Sequence, residues 1–280
     1  DTVKFVAFDF AVEAKDCLVA ADFECRLLVL NKPPGFLCHP AGDRWEWGII
    51  GRVRESRPDD RIELAHRLDR ETSGILVLTK DLPANVFLKE QLRQRTEALR
   101  KEYLAIVHGT PEWSEIEVEA PIHDQIESEV RLRRGVMEGG LHAHTGFTLR
   151  EKLAGMSLVS CHLYTGRTHQ IRVHLDHIGH PILGDKLYGQ PDHVFLDWLS
   201  HRDDSDVSEE TDSPRFRAIR EAVGFPRQAL HAWRMQLPHP DGHILDLEAP
   251  LPADMRAIVD GGVPCWPAPD PCPPVSNETS

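Results

Sequence analysis

The stretch HRLDRETSGILVLT, residues 66–79, places Asp69 between Arg67 and Arg70 and then becomes apolar. The run 75–79 is rich in Val, Ile and Leu after a Ser-Gly pair, which predicts a buried strand. Guanidinium groups bind phosphate, so the two arginines can hold a polyanion while the carboxylate reacts with it. A surface Arg-Asp-Arg salt-bridge cluster would have the same spacing, so this stretch alone does not distinguish the two interpretations.

Other short apolar segments recur along the chain, separated by turn residues. The segments 25–30, 103–107 and 158–164 are predicted strands, each followed closely by Gly or Pro. The segment 82–100 is predicted to contain a helix with one buried face. The residues expected on that face are Val86, Leu88 and Leu92. Because strands outnumber helices and short turns join them, we expect an α+β domain with a mainly antiparallel sheet.

The segment 168–178 has the features of a helix with both ends marked. Thr168 can cap its N-terminus, and Gly179 followed by Pro181 can end it. The side expected to face the core consists of Ile171, Leu175 and Ile178. The opposite side consists of His169, Arg172 and Asp176. This spacing predicts that Arg172 projects away from the core on a fixed scaffold.

The chain is acidic, with a net charge of −13 over 280 residues. This charge argues against sequence-independent binding of nucleic acid, which depends on neutralising phosphates. Part of the excess lies in the segment 201–215, whose six acidic residues and two arginines sum to −4. Arginines nevertheless cluster at positions 93, 95 and 100 and at 131, 133 and 134, a pattern compatible with a basic site on an acidic body.

The six cysteines are scattered and form no CxxC pair, which favours reduced thiols over a disulfide framework or a zinc ribbon. Several histidines lie between positions 142 and 180, but their spacing matches no zinc pattern, so we expect no metal. No apolar run approaches the ~18 residues of a membrane helix, and the first residues lack the features of a signal peptide. We therefore expect a cytoplasmic protein with no membrane partner.

Three blocks of the chain resemble the motifs of the RluA family of RNA pseudouridine synthases, in that family's order. These blocks are NKPPGFLCHP (31–40), HRLDRETSG (66–74) and GRTHQIRVHLDHIGHPILGDKLYG (166–189). Two further segments, KEYLAIVHG (101–109) and LHAWRMQLPHP (230–240), are similar to other parts of the family's core. The resemblance covers about residues 23–250.

The resemblance implies that the protein isomerises uridine in ribosomal or transfer RNA to pseudouridine, as a monomer and without a cofactor or metal. It implies a catalytic Asp69, a Tyr103 ring that packs on the target base, and an Arg172 that orients the carboxylate. The alternatives to Arg172 acting alone are that Arg167 shares this role or takes it. Arg67 either fills the gap left by the flipped base or contacts phosphate.

Further residues are expected to contact the RNA. The substrate-binding residues are predicted to be Arg67, Arg70, Arg167, His169 and Lys101. The candidates for contacts with the RNA backbone are Lys101, Arg93, Arg95 and the arginines of the segment 131–134. The family's fold is a mixed α/β domain around a bent antiparallel sheet flanked by helices and loops, which agrees with the α+β class predicted from the strands and turns.

The expected domain organisation has three parts, the second of which contains an insertion. Residues 1–22 form an N-terminal extension and residues 23–255 the catalytic domain. The acidic segment 201–213 is predicted to be a mobile surface insertion, and residues 256–280 a disordered, Pro-rich tail.

The chemistry explains why such an enzyme would need these residues. Breaking a bond between sugar and base builds positive charge on the sugar, which a carboxylate can stabilise or attack. The base must first leave its stack, and an aromatic ring can replace the lost stacking. Two alternatives remain: an RNA-folding or ribosome-assembly factor that keeps the scaffold without catalysis, and a His-dependent metallohydrolase. The intact set of Asp69, Tyr103 and Arg172 weighs against the first.

Overall fold

The computed structural model describes residues 3–4, 21–23, 26–39, 48–94, 96, 98–203 and 214–264. Several sequence predictions lie outside these residues: most of the extension 1–22, Cys25, Arg95, the insertion from 204 to 213 and the tail beyond 264. The chain divides into two compact units. The first unit contains the described residues up to Tyr103 together with His231–Asp254, and the second contains Leu104–Leu230 and the described residues from Met255 onward.

The secondary structure consists of short strands and six helices in the described ranges. In chain order the elements are β1 (Val3–Lys4), β2 (Ala21–Phe23), β3 (Leu27–Lys32), α1 (Ile49–Ser56), β4 (Glu63–Leu64), β5 (Ser73–Thr79), α2 (Leu82–Gln94), β6 (Arg100–His108), β7 (Glu115–Glu119), β8 (Ile122–Asp124), β9 (Arg134–Val136), β10 (His144–Leu153), β11 (Met156–Leu163), α3 (Gln170–His177), α4 (Asp192–Asp203), α5 (Pro214–Val223), β12 (Leu230–Pro238), β13 (Ile244–Glu248) and α6 (Ala253–Val259). None of the helices in these ranges combines the length and apolarity needed to span a bilayer.

In the first unit the sheet order is β2-β3-β5-β12, with β13 beside β12, β1 beside β13 and β4 beside β5. Most of these pairs are antiparallel, whereas β5 runs parallel to β12 and β1 parallel to β13. All seven residues of β5 are buried, as its continuous apolar sequence predicts. The strand that begins at the end of the HRLDRETSG block therefore lies in the middle of the core.

In the second unit the sheet order is β6-β11-β10-β7, and β8 and β9 form a separate two-stranded antiparallel hairpin. Strand β10 is antiparallel to both of its neighbours. The predicted α+β class with a mixed, mainly antiparallel sheet is confirmed.

Helix α3 begins later than the sequence predicted. Thr168 does not cap it, because the N-cap is His169, with φ +58° and no side-chain capping bond. The C-terminal prediction is confirmed: Gly179 has φ +81°, its N–H donates to Asp176 O (3.0 Å), and the next N–H, that of His180, donates to Leu175 O (2.8 Å). This pair of bonds is a Schellman motif.

The predicted helix between 82 and 100 is confirmed as α2, which spans Leu82–Gln94. Its predicted buried face is correct only in part, because Leu88 is 1% exposed but Val86 is 60% exposed. Asn85 occupies the buried face instead, because its Nδ2 donates to Leu64 O (3.3 Å) and to the Thr79 hydroxyl (3.1 Å).

The predicted C-terminal tail begins too early. Residues 256–259 belong to helix α6, in which Met255 and Ile258 are buried. These two apolar side chains lie one turn apart and give a short helix one buried face, a signal too brief to stand out beside the Pro-rich sequence that follows.

Gly74 permits the close pairing of β5 with β12. Its φ is +105°, and a Cβ atom added there would lie 2.2 Å from Ala232 O. No side chain fits at that distance, so the glycine that ends the HRLDRETSG block is required by the approach of another strand.

We predict that Gly74→Ala destabilises the protein far more than Gly242→Ala. Gly242 has a similar φ of +99° but nothing within 4 Å of an added Cβ, so its substitution should cost only backbone strain, about 1–3 kcal/mol. Gly74→Ala must also displace a strand and should cost more than about 4 kcal/mol. Urea unfolding of both variants measures the difference, and equal losses would contradict the steric explanation.

Candidate active site

Asp69 lies in the loop between β4 and β5 of the first unit. Its side chain is half-buried, that of Arg67 is exposed, and Leu68 between them is buried. The N–H of Thr72 donates to Asp69 O (3.2 Å), which turns the chain into β5. The candidate catalytic carboxylate is thus presented by a tight turn at the start of a core strand.

The ammonium of Lys32 holds one side of this loop. Lys32 is fully buried at the end of β3, and its Nζ donates to the carbonyls of Pro33 (2.8 Å), Phe36 (3.0 Å) and Arg70 (3.0 Å). An ammonium has three N–H donors, so three carbonyls satisfy it. The NKPPGF turn and the residue that follows Asp69 are therefore tied to one buried charge.

Arg70 and Gly35 make a second connection between the same two loops. The Gly35 N–H donates to Arg70 O (2.9 Å), and Arg70 Nε donates to Gly35 O (2.8 Å). Gly35 has φ +89°, which a side chain would disfavour. Arg70 was predicted to bind substrate; the structure gives its guanidinium a role in holding the loop, and contact with RNA stays a prediction.

Cys38 holds the residue on the other side of Asp69. Its Sγ lies 3.3 Å from both the N–H and the carbonyl oxygen of Leu68 and makes a hydrogen bond with each. Burial raises the pKa of the Cys38 thiol, so it carries its proton and can donate to the carbonyl. Sequence reasoning missed this residue, and the only signal was its position inside the NKPPGFLCHP block.

His66 anchors the start of the HRLDRETSG block on β5. Its Nε2 accepts the Val77 N–H (3.1 Å), and the Ala65 N–H donates to Val77 O (3.1 Å). Burial, together with the nearby charge of Lys101, lowers the pKa of His66 to about 3. The imidazole is therefore neutral at pH 7. The hydrogen bond agrees, because Nε2 can accept the Val77 N–H only when that nitrogen carries no proton.

His231 connects the LHAWRMQLPHP segment to the core of the first unit. Its Nδ1 lies 2.9 Å from Ser73 Oγ and its Nε2 lies 3.2 Å from Ala249 O, all in buried surroundings. Because Nε2 faces a carbonyl, it carries the proton and Nδ1 accepts from Ser73. This contact fixes the first residue of β5.

Two other predicted residues of the first unit lie on β6. Tyr103 is buried and Lys101 is half-buried. Asp69, Arg67, Arg70, Lys101 and Tyr103 thus all belong to the first unit, whereas Arg167, His169 and Arg172 belong to the second.

Arg172 in the second unit is buried, contrary to its predicted place on the polar side of α3. Its Nε and Nη2 donate to the two oxygens of Asp185, at 2.6 and 2.9 Å. Asp185 also accepts the N–H groups of Leu187 (2.9 Å) and Tyr188 (3.1 Å). Burial alone would raise the pKa of Asp185, but the charge and hydrogen bonds of Arg172 lower it below its usual value. The pairing of Arg172 with Asp69 stays a prediction.

The other predicted residues of the second unit have structural contacts as well. Arg167 Nε donates to His142 O (2.8 Å), and the Arg167 N–H donates to Gln170 Oε1 (2.9 Å). His169 Nδ1 lies 2.9 Å from the Tyr188 hydroxyl. Their predicted contacts with substrate stay predictions.

The arginine clusters are largely engaged with protein groups. Arg93 pairs with Glu90 one helical turn away, Arg133 donates to the carbonyls of Leu187 and Gln190 and pairs with Asp192, and Arg134 pairs with Asp124. Arg131 is exposed. Arg93 is exposed as well, so the contacts of these arginines with the RNA backbone stay predictions.

A metal centre has no support in the described part of the chain. Among those residues, no group of three or more His, Cys, Asp or Glu side chains is arranged to hold a metal ion.

Comparison with known proteins identifies the family. Residues 26–177 match the family described as RNA pseudouridylate synthase. A Nitrosomonas europaea protein named ribosomal large subunit pseudouridine synthase D is 37% identical over 238 residues, which are 83% of this chain and 62% of that protein. The chain therefore belongs to the RNA pseudouridylate synthase family, and the resemblance seen in its motifs is confirmed.

Further relatives agree. Ribosomal large subunit pseudouridine synthase C of Escherichia coli (strain K12) is 38% identical over 234 residues, covering 82% of this chain and 65% of that protein. The chain thus spans less than two thirds of the length of these relatives. The solved structure of human RNA pseudouridylate synthase domain containing 4 has the same fold, with a TM-score of 0.64 and 24% identity over 91% of this chain and 98% of that chain.

We predict that His66 makes stability depend on pH below neutrality. Between its ordinary value of 6.5 and its folded pKa of about 3, the unfolded chain binds a proton that the folded chain does not, so stability falls as the pH falls. From pH 7 to pH 5 the His66 contribution should be a loss of about 2 kcal/mol.

Urea unfolding at both pH values should show that His66→Gln lacks this part of the loss. His177→Gln, at an exposed position of the same chain, is the matched control. Other histidines contribute equally to both proteins, so an unchanged pH dependence in His66→Gln would show that the imidazole is protonated in the fold.

Proposed function

We propose that this protein is an RNA pseudouridine synthase that isomerises uridine in the RNA of the large ribosomal subunit. The observation that carries the proposal is the fixed position of Asp69, because hydrogen bonds from the buried side chains of Cys38 and Lys32 hold the residues on each side of it. The names of the relatives support the choice of ribosomal RNA over transfer RNA.

The chemistry suits a single carboxylate on a fixed loop. The bond between C1′ of the ribose and N1 of the uracil breaks, and the positive charge that develops on C1′ is stabilised or captured by Asp69. The electron pair of the broken bond stays on the uracil, which turns so that its C5 bonds to C1′ and displaces Asp69 if the carboxylate had bonded there. The hydrogen of C5 leaves as a proton, and N1 takes up a proton. Uridine and pseudouridine are isomers, so the reaction consumes no co-substrate and needs no oxidant or reductant.

The target base must leave its stack to reach Asp69, at a cost of a few kcal/mol. Tyr103 is proposed to stack on the base and offset about 1–3 kcal/mol of that cost. Arg67, exposed two residues before the catalytic aspartate, is proposed to fill the gap or to bind phosphate. Its exposure contrasts with the engagement of Arg70 with Gly35 and supports the assignment of Arg67 rather than Arg70 to the RNA.

The remaining assignments follow the family. Arg172 is proposed to orient the Asp69 carboxylate, with Asp185 holding its guanidinium. The reaction needs only RNA, so we propose a monomer without a cofactor. Bacteria such as those of the relatives make and assemble ribosomal RNA in the cytoplasm, so we propose that the protein acts there.

We predict that Asp69→Asn abolishes isomerisation while the protein remains folded. The amide has the same shape but no negative charge to stabilise C1′, so the rate should fall by at least about a thousandfold. The assay is release of tritium from a large-subunit ribosomal RNA transcript labelled at C5 of uridine. Asp59→Asn, at an exposed position of the same unit, is the control and should keep full activity. Retained product formation in Asp69→Asn would refute the role of Asp69, and an inactive wild type would favour a non-catalytic assembly factor.

We predict that Tyr103→Phe keeps most of the activity and that Tyr103→Leu loses it by roughly 5- to 150-fold, the equivalent of about 1–3 kcal/mol of lost stacking. Leucine fills most of the buried space, so the comparison isolates the aromatic ring. The tritium assay at limiting RNA concentration measures both variants. Equal losses in the two would show that the hydroxyl, and not the ring, is what the reaction uses.

A further inference from the structure

The buried phenol of Tyr188 contacts three parts of the second unit. Its hydroxyl accepts the backbone N–H of Arg134 (3.0 Å), the first residue of β9, and lies 2.9 Å from His169 Nδ1. The guanidinium carbon of Arg172 lies 4.9 Å from the centroid of its ring. One side chain therefore touches the β8–β9 hairpin, the N-terminus of α3 and the arginine that α3 carries.

The Tyr188 hydroxyl takes part in two hydrogen bonds, and the direction of one is fixed. A backbone N–H can only donate, so the Tyr188 oxygen accepts from Arg134. A hydroxyl has one proton and two lone pairs, so toward His169 Nδ1 it donates or accepts according to the imidazole tautomer. In either case, two hydrogen bonds connect the hairpin through Tyr188 to His169.

The backbone of His169 has an energetically unfavourable conformation at this contact. Among the described residues, His169 is the only non-glycine residue with a positive φ, +58°. The left-handed conformation is unfavourable for a residue with a Cβ. His169 is the N-cap of α3 yet caps no helix N–H with its side chain. Its imidazole instead turns to Tyr188 and packs edge-on to that ring, with the centroids 5.7 Å apart.

Arg172 lies three residues after His169, almost one helical turn further along. The rotation of the first turn of α3 therefore decides where its guanidinium points. Asp185 fixes the end of that side chain, and its carboxylate also accepts the Tyr188 N–H. The Tyr188 ring and the Asp185 carboxylate, which lie in the same short segment of chain, thus both contact the Arg172 guanidinium.

We propose that Tyr188 and His169 are positioning residues for Arg172, which they hold through the hydroxyl-imidazole hydrogen bond and the ring face. The proposal rests on the proposed function, in which Arg172 serves the isomerisation. His169 then acts through its contact with Tyr188, and its predicted contact with substrate stays a prediction. The same hydrogen-bond chain ties the β8–β9 hairpin to the start of α3.

Tyr188→Phe removes the hydroxyl and keeps the ring on Arg172. We expect the single-turnover rate on the large-subunit RNA transcript to fall about tenfold, with the RNA concentration at half-maximal rate changed less than about twofold. Hydrogen exchange should show the Arg134 amide exchanging at least about tenfold faster, because its acceptor is gone. Tyr164→Phe is the matched control, since Tyr164 is 42% exposed in the same unit and its hydroxyl binds only the surface carboxylate of Glu117 among the partners seen in the described structure.

His169→Gly separates the side chain from the backbone conformation. Glycine adopts the positive φ without strain, so a role for the backbone alone predicts full activity. We expect instead the same fall in rate as in Tyr188→Phe, and no additional fall in the double variant, because both substitutions break one hydrogen bond.

Several results would overturn the proposal. These are an active His169→Gly variant, additive losses in the double variant, a rise in the half-maximal RNA concentration without a change in rate, or an unchanged Arg134 exchange rate in Tyr188→Phe. If the wild type and Tyr164→Phe both form no pseudouridine, the proposed function fails instead. The exchange measurement needs no activity and still decides whether Tyr188 holds the hairpin.

Discussion

The buried ammonium of Lys32 is the constraint on which the geometry of the candidate site depends. A charged group removed from water is stable only when every donor is satisfied, and three carbonyls from two separate loops meet this need. If either loop moved away, a buried charge would lose a partner. The loop that carries Asp69 is therefore held to the NKPPGF turn by electrostatics. The neutral thiol of Cys38 holds Leu68 of the same loop, and the neutral imidazole of His66 holds the start of the loop on β5.

The second unit uses a buried carboxylate in a corresponding way. Asp185 receives four donors, two from Arg172 and two backbone N–H groups, so its charge is stabilised although it is buried. The GDKLYG and GRTHQIR segments therefore form one ion pair: GDKLYG supplies the carboxylate of Asp185, and GRTHQIR supplies the guanidinium of Arg172. Hydrogen bonds that fix side chains in this way suit the proposed reaction, in which a carboxylate must meet one carbon atom of a flipped nucleotide.

Much of the fold could be predicted from the sequence, because its signals are local. The apolar run after HRLDRETSG predicted β5, the turn residues predicted the ends of several strands, and Gly179 predicted the end of α3. The predictions failed where a distant partner decides the outcome. Arg172 was placed on the solvent side by helical spacing, but Asp185 buries it; Val86 was placed in the core, but Asn85 occupies that side because it finds two acceptors.

The sequence by itself determined the family, the secondary-structure class and the identity of the proposed catalytic residues, since these reside in contiguous motifs whose order and spacing are visible in the chain. Only the tertiary structure decided what the other motif residues do. Lys32, Cys38, His66, Tyr188 and His231 act through partners that lie distant in sequence or on neighbouring elements. Hydrogen bonds and burial depend on which groups meet in space, and a pattern of residues along one chain does not encode those distances.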